Sequence, residues 1–353
     1  MTTIDVGVIG TGWCGGIRAA VCAASPLVES LHVAEIRPDR LAEVAARTGA
    51  VTATADYREF LDKVDAVLIS ATPETTHYPM ARDCLAAGKH VLLEKPLALT
   101  LDEADELIDL ADSRGLKFAV GYSQRFNPKQ AYVKQCLVDG TLGTPVSALV
   151  SRHITRNLGR KIGGRIKLSP AAMEATHDID FVMWCLAPAR PVSVYAQSVR
   201  RVMAPDHDVP DCSWITITFD NGVVVVIGAG WILPPGYPNF STTTIEFVGS
   251  DAALLIDDSH RDIVLNRMSG GVVFPLSTMP GEQVGHVYAG PMATETTHFL
   301  TAVTGDGPVL VPAREAREVM RVYLAADLSA ESGQPVALDP YWRPPVLSAA
   351  GTG

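Results

Sequence analysis

Over the first 120 residues, short apolar runs alternate with amphipathic stretches: Ile4–Ile9 then 15–24, Ser30–Glu35 then 38–48, Ala66–Ser70 then 75–87, His90–Leu93 then 101–114, and Lys117–Val120. The runs have the length of buried strands and the stretches that of helices. Their regular alternation predicts a doubly wound parallel sheet with right-handed crossovers. After Asn127-Pro128 the spacing predicts a helix over 129–139, a turn through Gly140–Pro145, a β-branched strand Val146–Ser151, a basic loop and a helix near 170–186. From Val192 the period changes to two, over 192–201, 213–219, 222–232, 241–248, 252–257 and 262–267. Asp220-Asn221-Gly222 and Gly249-Ser250-Asp251 punctuate it with residues that tolerate positive φ, which predicts a mostly antiparallel sheet. Segments 291–304 and 313–331 are helical again, with Gly333 as a stop. The expected architecture is α/β, with a first domain over 1–123, an α+β domain over 124–340 and a Pro/Gly-containing tail over 341–353.

The length of 353 residues suits about two domains. Lys+Arg 29 against Asp+Glu 39 gives a net charge of -10, which repels polyanions, so nucleic acid is not an expected partner. No stretch reaches the ~18–20 apolar residues of a membrane span; the nearest, Gly222–Leu233, stops at Pro234-Pro235. Asp5 precedes the first arginine, Arg18, so the chain lacks the basic start of a signal peptide. Six scattered cysteines without C-x-x-C indicate neither disulfides nor zinc. A cytoplasmic protein without a metal site is the expectation.

Chemistry enters at Gly10-Thr11-Gly12-Trp13-Cys14-Gly15, a G-x-G-x-x-G between the first strand and the first helix. Gly10 permits the tight turn, Gly12 lets backbone approach a pyrophosphate, and Gly15 lets helix pack on strand, with the helix N-terminus facing the anion. Glu35 ends the second strand, where a carboxylate accepts from ribose hydroxyls and repels a 2′-phosphate, which favours NAD. Ile36 and Arg37 follow it, and Arg37 could instead pair with that phosphate, leaving NADP open.

Further on come Ala71-Thr72-Pro73-Glu74-Thr75-Thr76-His77, Ala87-Gly88-Lys89-His90-Val91-Leu92-Leu93-Glu94-Lys95-Pro96 and Gly121-Tyr122-Ser123-Gln124-Arg125-Phe126-Asn127-Pro128. With the glycine loop, this ordered set resembles the glucose-fructose oxidoreductase / inositol dehydrogenase (Gfo/Idh/MocA) family. His177, Asp180 and the helix holding Glu295, His298 and Phe299 extend the likeness to the C-terminal half. The resemblance implies a Rossmann domain, a second domain with a large open sheet, a homodimer or homotetramer, and an active site between the domains. It also implies oxidation of a secondary alcohol of a sugar, inositol or related polyol, with NAD or NADP. Ala71, Thr72, Pro73, His77, Glu94 and Gln124 would border the cofactor. A glycosidase using transient oxidation and a non-catalytic dinucleotide sensor are the alternatives.

Lys95 follows a parallel strand's C-terminal end, where its ammonium can donate to a substrate hydroxyl and stabilise the developing alkoxide. In Met173-Glu174-Ala175-Thr176-His177-Asp178-Ile179-Asp180, helical spacing puts Glu174 and Asp180 on the face of His177 and turns Asp178 about 100° away. An imidazole beside a carboxylate suits a general base. Family members carry Asp where this chain has Met173, so Glu174 or Asp180 is expected to orient the ring. Arg152, Arg156, Arg160, Lys161, Arg165 and Lys167 crowd an acid-free segment; Arg160 and Arg165 would contact a polar or anionic substrate, or else the run is a solvated loop. Tyr122 and His153 are further substrate candidates. Trp231, Tyr237, His286 and Tyr288 are read as loop residues able to line a sugar pocket.

Overall fold

The computed structural model describes residues 2–238, 241–258, 265–269, 271–273 and 282–345. The chain divides into two compact units, Met1–Gln135 with His260–Arg317, and Cys136–Ser259 with Glu318–Gly353.

In the first unit, apolar runs become β1 (Ile4–Ile9), β2 (Val28–Ala34), β3 (Thr52–Thr54), β4 (Ala66–Ile69), β5 (His90–Leu93) and β6 (Phe118–Val120). Between them lie α1 (Trp13–Ala24), α2 (Pro38–Thr48), α3 (His77–Ala86) and α4 (Leu101–Ser113). The sheet order is β3-β2-β1-β4-β5-β6 and every pair is parallel. Strand order therefore reverses between β1 and β4, the switch point beyond whose C-terminal strand ends ligands bind in such sheets. Val6, Val8, Val33, Leu68 and Leu92 are buried because helices cover both faces. Thr100 and Glu103 cap α4 reciprocally, fixing where the chain re-enters a helix after the β5 turn.

The second unit is reached through α5 (Pro128–Val138) and starts its sheet with β7 (Pro145–Thr155). After α6 (Arg156–Gly163), a π turn Ala171–Ala175 runs into α7 (Thr176–Leu186). The strands β8 (Pro191–Val199), β9 (Cys212–Phe219), β10 (Val224–Leu233), β11 (Ser241–Gly249) and β12 (Ala253–Asp257) follow, with the short α8 (Ala204–His207) between β8 and β9. Two small hairpins, β13–β14 (Leu265–Asn266, Val272–Val273) and β15–β16 (Gln283–Val284, Val287–Tyr288), precede α9 (Pro291–Thr304), α10 (Ala313–Ser332) and β17 (Val336–Ala337). The seven-stranded order is β12-β11-β7-β10-β9-β8-β17, antiparallel except for β7 with β10. Alternation sends Ile215, Ile217, Val225, Ile227, Ile245 and Phe247 to the buried face. Leu149, Val199, Trp214, Val224 and Leu255 stay exposed on the other.

The two units differ from the linear split at residue 123 in two respects: the first unit runs on to Gln135, and it takes in a late segment up to Arg317. α9 supplies Phe299 and Leu300 to the parallel sheet's core, and residues 307–315 line its β6 edge. Val120 donates to the carbonyl of Val311, and Arg125 pairs with Glu315 at 2.6 Å. A parallel sheet needs cover on both faces and at its edge, and this late segment provides it. Most of the expected strand 262–267 and the tail beyond 345 lie outside the described residues. Among the described residues no helix is long and apolar enough to cross a membrane, and no cluster of His, Cys, Asp and Glu could hold a metal ion.

Candidate active site

The glycine loop does three different jobs. Gly10 has φ +78°, and a Cβ there would meet the Ser70 carbonyl oxygen at 2.7 Å; only glycine fits. A Cβ on Gly15 would come within 1.7 Å of the Gly10 carbonyl oxygen, so α1 packs on the loop backbone to backbone. At Gly12 a Cβ would meet nothing within 4 Å. That open space adjoins the start of α1, whose N-cap is Gly12, with no side-chain cap and no acid in the first turn. Amide donors at an uncapped helix start fit a pyrophosphate. Arg40 braces the loop from behind, donating Nε to the Thr11 carbonyl at 2.7 Å and Nη2 to that of Gly12 at 3.3 Å.

Glu35 closes the same site. Its Oε2 accepts from the Thr11 amide at 2.9 Å and hydroxyl at 3.2 Å, and its Oε1 from the Arg37 amide at 3.1 Å. Burial alone would push this carboxyl up. The two amides, the hydroxyl and the Arg37 guanidinium outweigh it and hold the group below its usual range. A carboxylate fixed beside the glycine loop suits ribose hydroxyls and disfavours a 2′-phosphate. Trp13 and Ile36 flank the loop and are exposed. Burial, with Glu94 adding to it, pushes the Cys14 thiol up to about 12, so Cys14 contributes backbone and bulk, not a thiolate. The residues present thus fit NAD: amides 12–15 for the phosphates and Glu35 for the ribose.

Beyond the ends of β4, β5 and β6 lie Ala71-Thr72-Pro73, Glu94-Lys95-Pro96 and Gly121-Tyr122. Glu94 extends the ladder by donating its amide to the Ile69 carbonyl at 2.9 Å, and the half-buried Lys95 comes next. Three of the expected site residues have protein partners or burial of their own here. His77 places Nδ1 2.7 Å from the Pro96 carbonyl oxygen and Nε2 3.1 Å from that of Ala71, so both ring nitrogens face backbone. It clamps two turns together and has no nitrogen left for a cofactor. The Glu94 Oε1 accepts from Nε (3.1 Å) and Nη2 (2.6 Å) of Arg18, which sequence reasoning missed. Tyr122, expected at the substrate, is fully buried, while Gln124 is half-buried.

In the second unit the π turn breaks the helical phase that was expected to run from Met173 to Asp180. Met173 packs with Ile154, Ile162, Met203, Val209 and Trp231. Glu174, buried, accepts a 2.8 Å hydrogen bond from the indole Nε1 of Trp231, which lies on β10 and not in a loop. Its Oε1 is therefore committed to the sheet. Asp178 turns away from the expected face, as spacing required, and forms a buried fork with Arg152, at 2.7 Å to Nη2 and 2.9 Å to Nε. Asp180 is fully buried on α7, one turn from the half-buried His177.

His153 lies on strand β7. Arg152 points to the α7 side of β7, so strand alternation sends His153 to the other face. There its ring lies 5.6 Å from that of Trp214, and burial depresses its basicity. The basic run is largely structural: Arg152 holds Asp178, Arg156 donates to the Ile232 carbonyl at 3.2 Å, and Lys167 donates to the carbonyls of Gly163 and His207. Arg160 and Arg165 remain exposed. One signal for the overlooked Arg18 was present, since it is the single charge in α1, and a lone charge in an apolar helix reads as buried and paired.

Comparison with known proteins agrees with this geometry. Residues 4–122 match the GFO_IDH_MocA model, described as an oxidoreductase family with an NAD-binding Rossmann fold. Residues 134–338 match the C-terminal alpha/beta domain of that oxidoreductase family. An inositol 2-dehydrogenase of Rubrobacter xylanophilus is 35% identical over 265 residues, covering 74% of this chain and 73% of its own. A UDP-N-acetylglucosamine 3-dehydrogenase of Acidithiobacillus ferrooxidans is 27% identical over 333 residues, 94% of this chain and 99% of its own. The fold matches a Lactobacillus casei scyllo-inositol dehydrogenase crystallised with NAD(H) and scyllo-inositol, with a TM-score of 0.82 at 19% identity over 95% of this chain and 99% of that one.

Proposed function

Because the chain belongs to the Gfo/Idh/MocA oxidoreductase family, with its NAD-binding Rossmann fold, we propose that it reversibly oxidises a secondary alcohol of an inositol, sugar or related polyol. The observation that carries the reading is the pairing, in one Rossmann unit, of a loop left open at Gly12 with an ammonium group just past the end of β5. Relatives that dehydrogenate an inositol and a sugar nucleotide support the substrate class. NAD supplies a ring that accepts the hydrogen leaving the carbinol carbon with its electron pair. Lys95 donates to the alcohol oxygen and stabilises negative charge developing on it. His177 takes the hydroxyl proton as general base. Asp180, three residues along the same helix, orients the imidazole, since an Oε1 of Glu174 is held by Trp231.

The same reading has the protein act in the cytoplasm as a homodimer or homotetramer. Val199, Trp214, Val224 and Leu255 leave apolar surface on the open face of the seven-stranded sheet, which a second copy would cover. Incubation with NAD and a panel of inositols and sugars tests the activity through NADH absorbance. Lys95→Ala should abolish turnover while NADH binding, followed by its fluorescence, stays within about twofold. An unaffected rate refutes the assignment.

A further inference from the structure

Lys95 is presented by a turn of three residues, and the structure pins that turn on both flanks. On its C-terminal side the Pro96 carbonyl faces Nδ1 of His77. On its N-terminal side the Glu94 carboxylate is gripped by Arg18, which reaches it from α1, the helix that follows the glycine loop. Arg18 is completely buried and uses every face of its fork. Nε and Nη2 converge on Oε1 of Glu94, Nη2 also reaches Oε2 of Glu295 at 2.7 Å, and Nη1 donates to the Thr296 hydroxyl at 3.1 Å. Thr296 in turn donates to the Met292 carbonyl at 2.8 Å, so α9 anchors the far side of the guanidinium. Space is closed as well as charge: a Cβ on Gly121 would sit 2.9 Å from Oε2 of Glu94 and 3.1 Å from Nη2 of Arg18.

We infer that Arg18 is a positioning residue for Lys95: by locking Glu94 between α1 and α9, it fixes the turn that aims the neighbouring ammonium. This rests on the proposed function for the meaning of the aim, though not for the lock itself. The chemistry needed is that of a planar fork. A lysine in its place keeps the charge but offers donors from one point, and cannot hold Glu94, Glu295 and Thr296 from three sides. α1 also bears the dinucleotide loop, so the lock joins the cofactor's helix to the turn holding the catalytic ammonium.

The test reads Lys95 directly. The lysines are reductively methylated with labelled formaldehyde, and the dimethyl-lysine ¹³C signal of Lys95 is assigned by its loss in Lys95→Arg. In Arg18→Lys, the signal should move toward the position of exposed lysines. Turnover should fall at least tenfold, with KM for NAD and NADH affinity within about threefold. Should Arg18→Lys fail to fold, Glu295→Ala leaves the Arg18–Glu94 pair neutral and loosens only its outer anchor; a smaller shift in the same direction is expected. An unmoved Lys95 signal in the variant that folds overturns the inference. A moved signal in a protein whose wild type oxidises no polyol or sugar supports the lock and sinks the proposed function instead.

Discussion

The glycine loop makes a contrast that separates binding from stability at two neighbouring positions. At Gly12 the backbone is at φ -59°, ψ -155°, outside the left-handed region, and an added methyl meets no protein atom within 4 Å. Gly12→Ala should leave the unliganded fold as stable as before, or raise it by about 0.5 kcal/mol through the unfolded chain. The methyl instead fills the space where a pyrophosphate would approach. Losing one charge-assisted amide bond there costs roughly 1.5–3 kcal/mol, or about 10- to 100-fold in NADH affinity. At Gly15 the same methyl lands 1.7 Å from the Gly10 carbonyl oxygen, against an ordinary C···O approach of about 3.3 Å. Neither backbone segment can yield that much, so Gly15→Ala should destabilise by about 3 kcal/mol or more and lower the melting temperature by roughly 6 °C or more. Thermal unfolding without cofactor, followed by NADH fluorescence titration, reads both variants. If Gly12→Ala binds NADH like wild type, or melts as early as Gly15→Ala, the division of labour in the loop is wrong.

Other expectations follow from single contacts. Glu35→Gln keeps one acceptor oxygen for the Thr11 amide, gives up the Arg37 amide and removes the charge facing a 2′-phosphate, so the NADPH-to-NADH affinity ratio should rise about tenfold or more in competitive titrations; no change would mean Glu35 does not select the cofactor. Arg152→Met strands Asp178 as a buried lone carboxylate and should cost about 3–5 kcal/mol in urea unfolding, most of it recovered by adding Asp178→Asn, whereas equal losses in both would show that the cost does not come from the stranded charge. Burial, with Glu331 adding to it and the Ser169 hydroxyl opposing it, pushes Asp327 from 3.8 up to about 7. The folded state therefore holds this proton more tightly than the unfolded chain; the stabilisation is full below about pH 4 and is lost as pH rises through about 7. Asp327→Asn should gain up to about 4 kcal/mol at pH 8 and little at pH 4, and an equal effect at both would contradict the shift.

How far the sequence could be read depended on what periodicity encodes. A run such as Ile4–Ile9 followed by glycines and a helix reports its own conformation, so the parallel sheet and glycine loop were legible. Periodicity records which face of an element is apolar, not which element covers it. That is why α9, remote in sequence, was not assigned to the parallel sheet, although Phe299 and Leu300 fill its core. The helix bearing His177 was read at a constant 3.6 residues per turn. The π turn at Ala171–Ala175 shifts that phase and hands Glu174 to Trp231, while Asp178 beyond it turns to Arg152. His153 was read as a loop residue because its strand was ended at Ser151. β7 runs to Thr155, and one more pair of residues would have set its alternation. Arg18 and Glu94 are far apart in the chain and meet only when α1 folds back across the strand ends, a juxtaposition spacing alone does not contain.

The claim on which the rest depends is that this chain moves hydrogen directly between a carbinol carbon and the nicotinamide ring. Inositols and sugars deuterated at each ring carbon, incubated with the protein and NAD, put it to the proof by mass spectrometry of the recovered cofactor. At least one labelled position should transfer its deuterium to NADH in wild type and not in Lys95→Ala. Cofactor that binds yet never acquires label from any of them would contradict the account.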